Sequence, residues 1–347
     1  MDEVPVVTPL RPRSAAALIA GALLGLAGCS GYEDFTLPPL EPQGPLPAWS
    51  WTVFEEPVIG RGAAGAWDSV DALNPSVVFR EGTYYNLYSG YDGKTWHTGL
   101  AVSADGIHWE KRGQVLSPDP ATWEGDYIAA NGHLALVGEE FYYWYQAGDP
   151  PRIGLARSRD ALRWEKLPRP VLPLGPRGAW DERGVADPYV VRIEDRFYMY
   201  YLGQDRARRQ RLGVAVSEDG VRWRKLRSNP VLELGPAGAF DENGLGEPAV
   251  WRSADRYWML YTGRDRDEWR RLGLAVSLDG VHWERVSGEA ALAGDRPWNE
   301  KVVCDPTVLP AADASFHVWF GGGDRPHPAE NLNGQIGYAR LSFDTGP

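Results

Sequence analysis

Three carboxylates, Asp187, Glu247 and Asp305, stand at equivalent points of a motif that recurs five times along the chain. Each copy is an Asp, Asn or Glu, usually followed by Pro, at the head of a short apolar run: Asn74-Pro75, Asn131-Gly132, Asp187-Pro188, Glu247-Pro248 and Asp305-Pro306. The spacings are 57, 56, 60 and 58 residues. A period near this length, with several strands per unit, marks a radial array. The five side chains are therefore expected to converge on one axis. Carboxylates gathered in this way, or buried, shift one another's pKa values, which general acid and base chemistry requires. The amides at Asn74 and Asn131 can hydrogen-bond a ligand, but an amide neither accepts a proton from water nor attacks as a nucleophile.

The elements that must carry these residues read as strands. Each motif is followed by an aromatic run at 84–88, 141–145, 197–201, 257–261 and 316–320, bounded by Gly and Asp; such runs favour strands over helices. A third, Gly-containing strand follows each one. A turn, Ser103-x-Asp105-Gly106-x-x-Trp109, then recurs at 158–164, 217–223 and 277–283. Asp-Gly supplies the positive φ of a tight turn. The reading is an all-β, five-bladed β-propeller over residues 49–347. Residues 51–68 match residues 164–181 without a gap, Trp51 with Trp164 and Trp67 with Trp180. Residues 49–59 should therefore complete blade five, removing an exposed sheet edge.

Strand direction sets the functional face. The loops joining the second and third strands of each repeat return to the side of the motif, and they contain Trp96, Arg206, Arg266 and Trp269 among Asp residues. Sugars bind by hydrogen bonds to hydroxyls and by packing on aromatic rings, so this mixture suits a carbohydrate. The candidate catalytic residues are Glu247, Asp187 and Asp305. The candidate substrate-binding residues are Asn74, Asn131, His133, Asp71, Trp96, Arg206, Arg266 and Trp269. The Ser-x-Asp-Gly turns fall on the opposite face and read as structural: Asp and Ser cap the turn and Trp packs between blades.

Composition narrows the partners. The net charge is -11, which argues against nucleic acid. There are two cysteines, Cys29 and Cys304, so no Cys cluster for a metal exists. No nucleotide loop, zinc-type His spacing or nucleophile elbow is present. Residues 1–29 read as a signal: Arg11 and Arg13 precede an apolar stretch, 15–27, too short to span a bilayer comfortably. The sequence Leu26-Ala27-Gly28-Cys29 resembles the bacterial lipobox, which implies lipidation of Cys29 and a membrane contact through that anchor alone. Ser30 after the Cys implies outer-membrane sorting. Residues 30–48 are Pro-rich and aperiodic, and read as a tether.

Residues 49–347, with Asp-Pro and Glu-Pro at inner-strand heads, resemble the five-bladed propeller glycosidases: family 43 arabinanases and β-xylosidases, and the invertase and levansucrase relatives. The resemblance implies an oligo- or polysaccharide substrate and three acting carboxylates, from blades one, three and four. Asp187 matches the residue that orients substrate and tunes the acid. Glu247 matches the general acid, which needs a raised pKa. Asn74 stands where the base or nucleophile belongs. Three explanations follow: a nearby carboxylate (Asp68, Asp71 or Asp305) substitutes; phosphate attacks, as in the mannoside phosphorylases of family 130, which Asn74-Pro75 resembles although blade two differs; or the site only binds sugar. No cofactor is expected. Some family 43 propellers hold calcium on the axis, and Asp305, His133 and Asn131 are the residues that would approach it.

Overall fold

The structure, a computed structural model, describes residues 31–344. Two short strands, β1 (Tyr32–Glu33) and β2 (Trp49–Val53), come before the repeats. Blade one is β3 (Asp71–Arg80), β4 (Thr83–Tyr91), β5 (Trp96–Ser103) and β6 (Glu110–Leu116). Blade two is β7 (Ala129–Val137), β8 (Glu140–Ala147), β9 (Arg152–Ser158) and β10 (Glu165–Lys166). Blade three is β11 (Gly184–Ile193), β12 (Arg196–Gln204), β13 (Gln210–Ser217) and β14 (Arg224–Leu226). Blade four is β15 (Gly244–Ser253), β16 (Arg256–Arg264), β17 (Arg270–Ser277) and β18 (Glu284–Arg285). Blade five has β19 (Val302–Pro310), β20 (Phe316–Gly323) and β21 (Gln335–Phe343). Its fourth strand is β2, antiparallel to β21 with Trp49 opposite Phe343 and Val53 opposite Ala339. The ring closes where β2, which precedes the first repeat, pairs with β21 of the last.

Large aromatic side chains on the second strands fill the space between blades. Tyr143, Trp144, Tyr200, Tyr257, Tyr261, Trp319 and Phe320 are all fully buried. Trp67 lies across Gly90 and Gly99, where a Cβ would come within 2.2 and 2.1 Å of its ring; a side chain at either position would displace it.

The Ser-x-Asp turns have the expected caps. Ser103 Oγ accepts from the Gly106 N–H (2.9 Å), and Asp105 Oδ1 accepts from the N–H groups of Ile107 and His108 (2.9 and 2.8 Å). The same bonds form at Asp160, Asp219 and Asp279. The turns also join blades. Trp319 Nε1 donates to the Gly106 carbonyl (2.7 Å), Trp144 Nε1 to Gly220 (2.8 Å) and Tyr200 Oη to Gly280 (2.6 Å).

Each of the first four blades also ties its entry loop to its own strands through a buried acid. Asp68 accepts from Tyr88 Oη (2.9 Å) and Lys111 Nζ (2.6 Å). Glu124 pairs with Tyr145 and Lys166, Asp181 with Tyr201 and Lys225, and Asp241 with Tyr261 and Arg285. A residue repeated in this way holds a blade together. Asp68, considered from sequence as a substitute base, is therefore structural.

The tether reading of residues 30–48 needs correction. β1 runs parallel to β14 and adds a fifth strand to blade three. Leu37 is fully buried, its N–H bonded to the Asp279 carbonyl (2.8 Å), and Tyr257 Oη donates to the Pro38 carbonyl (2.9 Å). Proline leaves carbonyls free to accept, so a Pro-rich stretch can lie along a sheet edge as well as hang free. Residues 1–29, including Cys29, lie outside the described residues.

Candidate active site

The motif residues reach the axis by a local distortion that all five share. The ladder between the first two strands of each blade slips at the motif: between Leu73 and Ser76, Ala130 and His133, Ala186 and Tyr189, Gly246 and Ala249, and Cys304 and Thr307. Asn74, Asn131, Asp187, Glu247 and Asp305 have φ of 49°, 48°, 46°, 46° and 53°. Asn and Asp tolerate this left-handed region; Glu does so less readily. A bulge of this kind re-aims a side chain, here into the funnel.

The five residues line one cavity of about 220 Å³. Asn131 hydrogen-bonds the Asp187 carboxylate. The Asn74 N–H donates to Asp305 Oδ2 (3.2 Å), which also accepts the Cys304 thiol (3.1 Å). Oxygens of Glu247 and Asp305 lie within 4.8 Å of each other. Arg270, almost fully buried, is the counter-charge: it faces Glu247, Asp305 and Asp187. Burial, then the charges of Glu247 and Asp305, hold Asp187 well above the usual carboxylate range. Burial and Glu247 do the same to Asp305. Glu247 Oε2 and Asn131 Oδ1 are buried without a protein partner among the described residues. Both belong to residues that line the cavity.

Of the residues proposed from sequence, Glu247, Asp187, Asp305, Asn74, Asn131 and Trp96 line the cavity. Trp96 stacks on Tyr91 at 4.9 Å. The other five do not. The buried Asp71 carboxylate accepts the N–H groups of Asn331 and Gly334 (2.7 Å each) and so anchors a blade-five loop. His133 lies on the far side of the motif, its ring 4.1 Å from that of Tyr189, and burial lowers it to about 3, keeping it neutral. Arg206 and Arg266 point outward into ion pairs with Glu182 and Glu242 (3.0 Å each). Trp269 lies under Lys301 and Arg271. At Arg206 and Arg266 the charged loop tip is solvated, and strand ends beneath it line the cavity.

Those strand ends are what sequence reasoning missed. Gln204 and Gln210 pair across blade three, and Arg264 and Arg270 pair at the same register in blade four; all four line the cavity. The signal was the repeat itself, because the equivalent position in blade one is Trp96, paired with Tyr91. An axial calcium does not fit. The closest acidic group, Glu247 with Cys304 and Asp305, already lies in the field of the Arg270 guanidinium, and His133 is taken up by packing.

A solved glycosyl hydrolase from Bacteroides ovatus superposes with a TM-score of 0.70, covering 88% of this chain and 97% of that one at 17% identity. The model of the glycosyl hydrolases family 32 N-terminal domain matches residues 138–295. The chain has the five-bladed propeller fold of these glycoside hydrolases. This propeller is 27% identical over 238 residues to an uncharacterized protein of Mycobacterium tuberculosis (strain ATCC 25618 / H37Rv), covering 64% of this chain and 76% of that one. It is 23% identical over 294 residues to a 1,2-beta-oligomannan phosphorylase of Thermoanaerobacter sp. (strain X514), covering 78% and 92%.

Proposed function

We propose that this enzyme cleaves glycosidic bonds in the axial cavity, with Glu247 giving the proton to the leaving oxygen. The observation that carries this is the convergence of Asp187, Glu247 and Asp305 with Arg270 on one cavity, where Glu247 Oε2 and Asn131 Oδ1 have no protein partner among the described residues. Asp305 is not the base for an attacking water. It is buried, Oδ2 is engaged by Asn74 and Cys304, and it lies nearer Glu247 than the ~6.5–9.5 Å that admits a water. Its part, with Asn131 and Arg270, is to set the charge of Asp187, on which all three act. Asp68 and Asp71 are committed elsewhere, so hydrolysis draws its second carboxylate from Asp187 or, at the ~5 Å separation of a retaining pair, Asp305.

Phosphorolysis is the second reading, and specific residues favour it. Phosphate brings its own nucleophilic oxygen, so a neutral Asn74 is no defect, and Arg264 lines the cavity beside Arg270 as a match for an oxyanion. The test is cleavage of aryl glycosides and of oligosaccharides, β-1,2-mannosides among them, with and without inorganic phosphate. Release of free sugar regardless of phosphate supports hydrolysis; a sugar 1-phosphate formed only with phosphate supports phosphorolysis. No cleavage of any glycoside refutes the proposal. The same proposal places the enzyme at the cell envelope, anchored through Cys29. Incorporation of a fatty-acid label that Cys29→Ala abolishes is the expected result, and a label retained by that variant contradicts it.

A further inference from the structure

We infer that the cavity is a one-ended pocket that accepts only the terminal sugar of a chain, and that the blade-five loop 324–334 is what closes it. The inference rests on the glycoside-cleaving reading above and concerns which glycosides enter.

Every blade contributes to the lining around the axis. Trp96 contributes from blade one, Tyr127 from the link to blade two, Pro151 from blade two, Gln210 from blade three, Arg264 from blade four and Pro328 from blade five. A groove for the middle of a polysaccharide would leave two opposite sectors open. Here every blade supplies wall, so a chain enters only end-on, along the axis. The volume, about 220 Å³, lies below the ~300–1,000 Å³ of sites that hold drug-sized ligands. That leaves room for one ring against the axial residues.

The blade-five sector is closed by a loop fixed from three sides. On the blade-one side, the buried Asp71 carboxylate accepts the N–H groups of Asn331 and Gly334. On the blade-four side, Arg270 Nη2 donates to the carbonyls of His327 (3.0 Å) and Pro328 (3.1 Å), and Arg264 Nη1 to Pro328 (3.1 Å). Across the mouth, Tyr127 Oη donates to Glu330 Oε2 (2.8 Å). Ordering a loop costs conformational entropy at every residue. Three separate anchors offset that cost and hold Pro328 and Ala329 in the wall. Asp71 is therefore a positioning residue: it acts on substrate through the loop.

The test uses end-blocked oligosaccharides. A set of one linkage that the enzyme cleaves is offered intact, with the non-reducing end capped by a bulky acetal, and with the reducing end reduced. The expected result is stepwise loss of one terminal unit, at least a hundredfold slower cleavage when the attacked end is capped, and no early internal fragments. Glu330→Gln and Tyr127→Phe, which cut only the exposed bridge, are expected to relax this discrimination at least fivefold. The measure is the ratio of kcat/KM for capped and uncapped substrate, which a general loss of folding or activity does not change. Internal fragments from the wild type, or capped and uncapped substrates cleaved alike, overturn the inference while leaving the glycoside-cleaving reading intact. Absence of cleavage on every substrate instead defeats that reading.

Discussion

The residues on the axis are held in a state that stores both charge and strain. Asp187 and Asp305 have folded pKa values above their unfolded ones, because burial and Glu247 disfavour the carboxylate form. Such groups stabilise the fold fully below the unfolded value, near ~4, and that contribution is lost as pH rises through the raised values. Thermal stability is therefore expected to decline as the solution moves from weakly acidic to alkaline, and Asp305→Asn should flatten the decline; parallel profiles for wild type and variant would contradict this. The opposite limb belongs to the turns. Asp219 is lowered to about 2 by the N–H groups of Arg222 and Val221, which outweigh its burial, so its stabilising effect is lost only in strong acid. Arg270 has the larger structural effect. Arg270→Gln removes the counter-charge of three carboxylates and the anchor of Pro328, and should cost about 3–5 kcal/mol in denaturant unfolding. The motif spacing made the five axial positions legible. The positive φ they share was not, because Glu at 247 gives no local sign of a left-handed residue; only its place in the repeat does.

At the level of the element, a blade stands on two devices that recur with the period: the Ser-x-Asp turn, and the acid–Tyr–base network. The turn was readable because Ser, Asp, Gly and Trp have fixed spacing. The network was not, since its members lie in an entry loop and two different strands and the acid changes from Asp68 to Glu124. Lys225 and Asp181 are the most buried pair of the set, 2.6 Å apart. Lys225→Met should leave an unpaired buried acid and cost about 3–5 kcal/mol, measured by urea unfolding; a change below ~1 kcal/mol would show the network to be dispensable. The same scale explains the misplaced binding residues. Arg206 and Arg266 sit at loop tips with acidic partners in reach, whereas Gln210 and Arg264 lie where the strands still face the axis. Residue type alone does not separate these two situations, but the position in the repeat does.

In the whole molecule, the two ends of the propeller meet in blade five, and the segment before the closing strand straps blades three and four. Pairing of β2 was legible because residues 51–68 duplicate a linker whose place in the ring is known. The strap was not, because Pro-rich composition is shared by tethers and by edge-lying segments. Removing residues 31–48 should lower the thermal midpoint yet leave a closed, monomeric ring, since β2 remains. Removing residues 31–53 exposes the β21 edge and should give aggregation; equal behaviour of the two truncations would contradict the closure energetics. Within the strap, Leu37→Ala should cost about 2–5 kcal/mol. Closure matters to function because it fixes Asp305 of blade five against Asn74 of blade one and Glu247 of blade four. The most direct test of the axial assignment is the turnover of Glu247→Gln on whichever glycoside the wild type cleaves, measured on protein shown to be folded. The account predicts a loss of at least a thousandfold in kcat, with substrate still bound; a variant that keeps wild-type turnover would contradict it.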